Sequence, residues 1–208
     1  MGSGSTRLQI IAWGAQKQGE RGLRVKVERM RYLIGLLASA TLLFAASGEL
    51  SGRRAPGFSL PDLKAQQHDL QDYRGKVVII DIIQTTCPHC QRLADILEKV
   101  HAKYGEKVAV LTFAIPQDTM ATVTKFVEEH KVSTPVLFDC GQASASYLKV
   151  TPQNPRVNVP HLFLIDGQGT IRNDFGYDFD TRNVFEGDAL DMEIDRLLAG
   201  PGHPRSKK

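Results

Sequence analysis

The chain has 208 residues, 42% of them apolar, which is enough for one domain of ordinary size plus an appendage and excludes a sequence too polar to build a core. The net charge of +3 is no sign of a nucleic-acid partner. Residues 1–31 carry seven Lys/Arg against two Asp/Glu, whereas the remainder carries nineteen against twenty-one, so the body is nearly neutral and Arg205, Lys207 and Lys208 read as a solvated tail.

Residues 1–54 read as a leader. Arg24, Lys26, Arg29 and Arg31 precede an apolar run from Leu33 to Ala46, and Ala45-Ala46-Ser47 offers small residues for cleavage. The run is shorter than the roughly 20 residues of a spanning helix. The segment at about 24–47 is therefore expected to be an export signal, with an uncleaved marginal anchor as the alternative. Residues 1–29 are long for the basic start of such a signal. Translation is expected to begin at Met30, or Met1-Gly2-Ser3-Gly4-Ser5 to be foreign to the chain. Ser47 to Arg54 then reads as a polar linker.

The domain is expected over residues 55–199, with 200–208 as its tail. A short extended pair is predicted near Phe58 to Leu60 and Gln67 to Leu70. Val77 to Ile83 is apolar on both faces, as in a strand covered by helices on both sides. Cys87-Pro88-His89-Cys90 follows, and Leu93, Ile96, Leu97, Val100 and Tyr104 then recur with helical spacing up to Gly105.

Val108 to Ile115 is the next strand. Asp118 is expected to cap a helix from Thr119 to His130, with Met120, Val123, Phe126 and Val127 inward. Pro135 to Phe138 reads as a short strand and Gln142 to Leu148 as a short helix. His161 to Ile165 and Ile171 to Phe175 flank the turn Asp166-Gly167-Gln168-Gly169. Leu190, Ile194, Leu197 and Leu198 mark a closing helix. The order implies an α/β domain whose parallel core ends in an antiparallel hairpin.

The two cysteines of the Cys-x-x-Cys motif can close a small disulfide ring or open it. Cys87 falls at a helix N-terminus, where unpaired N–H groups and the helix dipole favour an anionic sulfur, the nucleophile of disulfide exchange. Pro88 suits the first helical turn, having no N–H to leave unpaired. His89 either adds positive charge beside the sulfur or is a solvated side chain. Cys90, one turn along, is expected to be less exposed and to resolve the mixed disulfide. Asp81 interrupts an apolar strand, so it is read as a buried acid able to take the Cys90 proton; the alternative is a carboxylate at a strand edge reaching solvent. Cys140, after a strand, is read as a buried free cysteine, with a second redox partner for Cys87 as the alternative.

These pieces resemble the thioredoxin fold and, more narrowly, exported thiol–disulfide oxidoreductases of the TlpA/ResA type. The likeness covers about residues 55–199. It rests on Ala55-Pro56-Gly57-Phe58-Ser59-Leu60-Pro61-Asp62-Leu63 with Leu70-Gln71-Asp72-Tyr73-Arg74-Gly75-Lys76, an opening shared with peroxiredoxins. It rests also on the Cys87–Cys90 motif, on Asp81 six residues before Cys87, and on Val159-Pro160 before the strand that ends in Asp166-Gly167. The resemblance implies a three-layer sandwich with a mixed central sheet and an N-terminal extension. It implies a redox-active Cys87–Cys90 disulfide and a cis Val159–Pro160 bond beside the sulfurs, where Val159 and Pro160 would receive substrate. Thr86 stands where the family usually has Trp on the docking surface, which puts partner choice in question.

The resemblance further implies protein thiols and disulfides as substrates, an external redox partner, a periplasmic location or a tether facing the periplasm, and no cofactor beyond the disulfide. The Pro88-His89 dipeptide matches the oxidising DsbA family, but the domain resembles reductases, so a reducing role is expected. Two other functions compete. A thiol peroxidase would have Thr and Pro where this chain has Gln84 and Ile80. A zinc module using Cys87 and Cys90 would need a second well-spaced pair, so no metal is expected.

Overall fold

Residues 48–200 are described by a computed structural model. The expected export segment and the tail from residue 201 lie outside the described residues, within which no helix is long and apolar enough to cross a membrane. In chain order the elements are β1 (Ser59–Pro61), β2 (Gln67–Asp69), β3 (Val77–Ile83), α1 (Pro88–Tyr104), β4 (Val108–Ala114), α2 (Met120–His130), β5 (Val136–Phe138), α3 (Gln142–Leu148), β6 (His161–Ile165), β7 (Ile171–Gly176) and α4 (Asp188–Ala199).

The main sheet has the order β5-β4-β3-β6-β7. β3, β4 and β5 run parallel, and β6 and β7 return antiparallel. All seven residues of β3 are buried, which explains why every one but Asp81 is apolar. Strand alternation divides them between two cores. Val77 and Ile79 pack with Leu93, Leu97 and Val100 of α1 and with Leu190 and Ile194 of α4. Val78, Ile80 and Ile82 pack on the opposite face with Phe58 and with Tyr147 of α3. This is the expected three-layer α/β architecture with a mixed sheet.

The hairpin at Asp166–Gly169 is closed by Gly169 N donating to Asp166 O at 2.8 Å, while the Asp166 carboxylate accepts from the N–H groups of Gln168 and Thr170. Gly169 has φ +80, a conformation that a side chain disfavours.

Three expectations are corrected. Thr119, not Asp118, caps α2: its hydroxyl accepts from Thr122 N, and Thr122 Oγ accepts from Thr119 N. Met120, at the first turn of that helix, is exposed rather than inward. The segment 48–54 is no free linker. Gly48 N donates to Asn173 Oδ1, Leu50 N and Ser51 Oγ donate to Asp174 Oδ1, and the Arg53 guanidinium reaches Tyr147 O. Gly52 N donates to Ile171 O and Ile171 N donates to Arg53 O, both at 2.9 Å, so this strap covers the outer edge of β7. At the other edge, Asp62 forms a bridge with Leu137 of β5.

Candidate active site

The site forms where β3 hands the chain to α1. Cys87 N donates to Gln84 O at 2.9 Å, closing a turn, and Gln91 N donates to Cys87 O at 3.1 Å, opening the helix. Cys87 is thus the N-cap residue, with extended backbone and no side-chain capping bond, and Pro88 follows in the first turn. The helix leaves its first N–H groups unpaired toward the Cys87 end. Thr86 and Pro88 are exposed, Cys87 is half-buried and Cys90 is completely buried. All three cysteines are free thiols.

Cys90 packs with Ile83, Ala94 and Phe126. By strand alternation Asp81 shares the sheet face of Ile79 and Ile83, the face covered by α1. Asp81 is 1% exposed and its Oδ1 has no hydrogen-bond partner. Burial therefore holds its carboxyl well above the usual aspartate range. Burial likewise pushes the Cys90 thiol far up, with the Asp81 charge and the neighbouring Cys87 adding to the effect and the Gln84 backbone opposing it.

The Val159–Pro160 peptide is cis. Val159 O lies 4.0 Å from Cys87 Sγ, and Val159 packs with the cluster around Cys90. Beyond Val159 a groove of about 460 Å³ is lined by Gln84, Ile115, Pro116, Val150 and Val157.

His89 is half-buried. Its Nδ1 lies 2.6 Å from an Arg92 Nη, and its ring centroid lies 4.1 Å from that of Tyr177. A guanidinium can only donate, so Nδ1 accepts this bond. The permanent positive charge at this end of α1 belongs to Arg92. Cys140 departs from expectation, being exposed rather than buried. Asp139 turns inward instead, accepting from the N–H groups of Ala143 and Ser144 at the start of α3, so its neighbour points out.

Three contributors escape a reading of the sequence. Asp118, freed from the cap, accepts from Thr85 N at 3.0 Å and from the Thr85 hydroxyl, and Gln91 Nε2 donates to Thr85 O at 2.9 Å. The turn before Cys87 is thereby held from two sides. Arg92 lies three residues after His89, a helical neighbour spacing that could have revealed it. Tyr177 N donates to Pro160 O at 3.2 Å. The antiparallel register of His161 with Gly176 places it there, but only once that register is known. Among the described residues, no three His, Cys, Asp or Glu side chains cluster as metal ligands.

A model of the AhpC/TSA family matches residues 51–174. Thioredoxin-like protein YneN of Bacillus subtilis is 27% identical over 128 residues, 61% of this chain and 71% of that protein. Thiol-disulfide oxidoreductase ResA of Geobacillus kaustophilus is 30% identical over 122 residues, 58% of this chain and 66% of that protein, so the match spans slightly under two thirds of its length. Among solved structures, a thiol:disulfide interchange protein of the thioredoxin family from Chlorobium tepidum superposes with a TM-score of 0.58 at 17% identity, covering 71% of this chain and 97% of that one. A secreted disulfide oxidoreductase of Mycobacterium tuberculosis gives a TM-score of 0.53 at 19% identity, covering 69% and 96%. At these identities the two structures speak for the fold alone.

Proposed function

The chain belongs to the AhpC/TSA family, as an oxidoreductase of thioredoxin fold, and from that premise we propose that it is exported and exchanges disulfides with protein substrates through Cys87 and Cys90. The observation that carries the reading is the pairing of a half-buried Cys87 at the mouth of α1 with a fully buried Cys90 behind it, beside a cis Val159–Pro160 bond.

In the reducing direction, the Cys87 thiolate attacks one sulfur of a substrate disulfide. A Cys87–substrate bond forms, the substrate S–S bond breaks, and the departing thiolate takes a proton from solvent. Cys90 then gives its proton to the Asp81 carboxylate and attacks Cys87 Sγ, expelling the second substrate thiolate. Two electrons pass to the substrate, and the Cys87–Cys90 disulfide remains for an external dithiol donor to reduce. Val159, Pro160 and Thr86 form the edge that receives the substrate chain, and Pro88 and His89 shape the motif between the sulfurs.

The reducing direction is favoured because the likeness to reductases extends over the domain, whereas the likeness to an oxidant rests on the Pro88-His89 dipeptide. Export is supported by the basic, then apolar, then small residues from Arg24 to Ser47. Peroxidase chemistry is disfavoured by Gln84 and Ile80, which replace the Thr and Pro of peroxiredoxins.

The test is insulin reduction with dithiothreitol as donor. Wild-type protein is expected to precipitate insulin chains, Cys87→Ser to be inactive, and Cys90→Ser to accumulate a mixed disulfide visible by mass spectrometry. Peroxide consumption without insulin reduction would replace this reading with the peroxidase one.

A further inference from the structure

The segment after β7 forms another wall of the site. Tyr177 binds the cis-proline carbonyl through its backbone, its ring lies tilted against His89, and it meets the buried Phe185 edge-on at 5.2 Å between centroids. The following turn is rigidly bonded. Asp178 Oδ1 accepts from Asp180 N at 2.8 Å and Thr181 N at 2.9 Å, and the Thr181 hydroxyl donates to Gly176 O at 2.6 Å. At the crest stands Phe179, 84% exposed, with the Arg182 guanidinium 5.6 Å from its ring centroid.

A lone exposed apolar side chain is ordinary. This one is a full aromatic ring held in water on a turn fixed by hydrogen bonds, two residues from the side chain that joins the cis-proline to the Cys-x-x-Cys motif. Little ordering cost would remain on contact with a partner, because the backbone beneath the ring is already set. On the motif itself, the residue before Cys87 is the small, exposed Thr86, which offers a partner no aromatic surface.

We infer that Phe179 is a docking residue for the polypeptide substrate, receiving an apolar side chain that flanks the substrate's disulfide while the disulfide lies over Cys87. The occupant is a disulfide-bearing polypeptide, because the ring stands two residues beyond Tyr177, whose N–H holds the Pro160 carbonyl beside the site. A small disulfide carries no flanking residue for the ring to receive. The inference rests on the disulfide-exchange reading and adds to it the surface that selects protein over small-molecule substrates.

The experiment compares wild type, Phe179→Ala and Phe179→Tyr on two probes, insulin and the small aromatic disulfide 5,5′-dithiobis(2-nitrobenzoate). Phe179→Ala is expected to lower kcat/KM for insulin by about 5- to 30-fold through KM, the range for losing one aromatic anchor. Phe179→Tyr should restore it, and all three proteins should cleave the small probe at one rate. Unchanged insulin kinetics in Phe179→Ala, or an equal loss on both probes, overturns the inference. A wild type that cleaves the small probe and leaves insulin intact overturns it too. Loss of binding to anionic phospholipid vesicles with insulin kinetics intact would assign the ring to a membrane surface instead. A wild type inactive on both probes overturns the exchange reading itself, and the docking role with it.

Discussion

Asp81 of β3 and Cys90 of α1 are buried together, 1% and 0% exposed, and the charge of the carboxylate opposes ionisation of the thiol. Each group therefore resists losing its proton while the other is charged, and the two are expected to titrate as a pair. In the proposed mechanism, Asp81→Asn removes the acceptor for the Cys90 proton. Release of the mixed disulfide should slow by about 100-fold or more, the usual weight of general base catalysis, while the first attack by Cys87 is unchanged. Stopped-flow measurement of the two steps checks this, and equal slowing of both would contradict it.

The same substitution should stabilise the fold. An unfolded aspartate releases its proton near pH 3.9, about as in a model peptide, whereas the folded carboxyl holds it to a higher pH. Above that lower value the unfolded chain gains by ionising and the folded protein does not, so wild-type stability falls as pH rises toward the folded value. Asp81→Asn is expected to melt higher than wild type at pH 7 and to lose that advantage near pH 3.5. For a chain of this size each 1 kcal/mol is worth about 2–4 °C.

Asp118→Ala takes the acceptor from the Thr85 N–H and hydroxyl. A lost hydrogen bond to a charged partner costs about 1.5–3 kcal/mol. Denaturant unfolding should report that loss, and hydrogen exchange should show Thr85 N–H losing protection. An unaltered turn would contradict the placement of Asp118.

The strap 48–54 predicts an opposite pH dependence. Burial would raise the Asp174 carboxyl, but His161 Nε2 at 3.4 Å and the hydrogen bonds from Ser51 Oγ and Leu50 N outweigh it and hold the group below the usual range. Its stabilisation is present above about pH 4, the unfolded value, and is lost as pH falls through the lowered folded value. Asp174→Asn should lower the melting temperature at pH 7, with the difference closing below pH 3. Limited proteolysis near Arg53 should accelerate in the variant.

Much of this domain is legible in the sequence because its signals are local. The apolar run of β3, the helical spacing after Cys90, the bounds of Gln142–Leu148 and the Asp-Gly turn need only near neighbours to make sense. Asp81 stands out because a carboxylate inside an apolar strand must lose its hydration, a cost that structure alone does not repay. The strap is invisible at that level because its bonds run to Asn173 and Asp174, more than a hundred residues away, and its composition resembles a linker. Asp118 is obscured for a related reason: a capping residue beside Thr119 is indistinguishable in sequence from one reaching across to Thr85. Cys140 turns outward because Asp139 finds partners at the start of α3, a choice that depends on where β5 stops.

Both rims of the sheet are occupied by the chain itself, at Ile171 by the strap and at Leu137 by Asp62. A partly unfolded client in search of a strand to join meets no vacancy at either place. In the proposed exchange, capture is steered instead toward the backbone at Val159, whose carbonyl lies 4.0 Å from Cys87 Sγ, and a protein that handles sticky chains avoids being zipped into them.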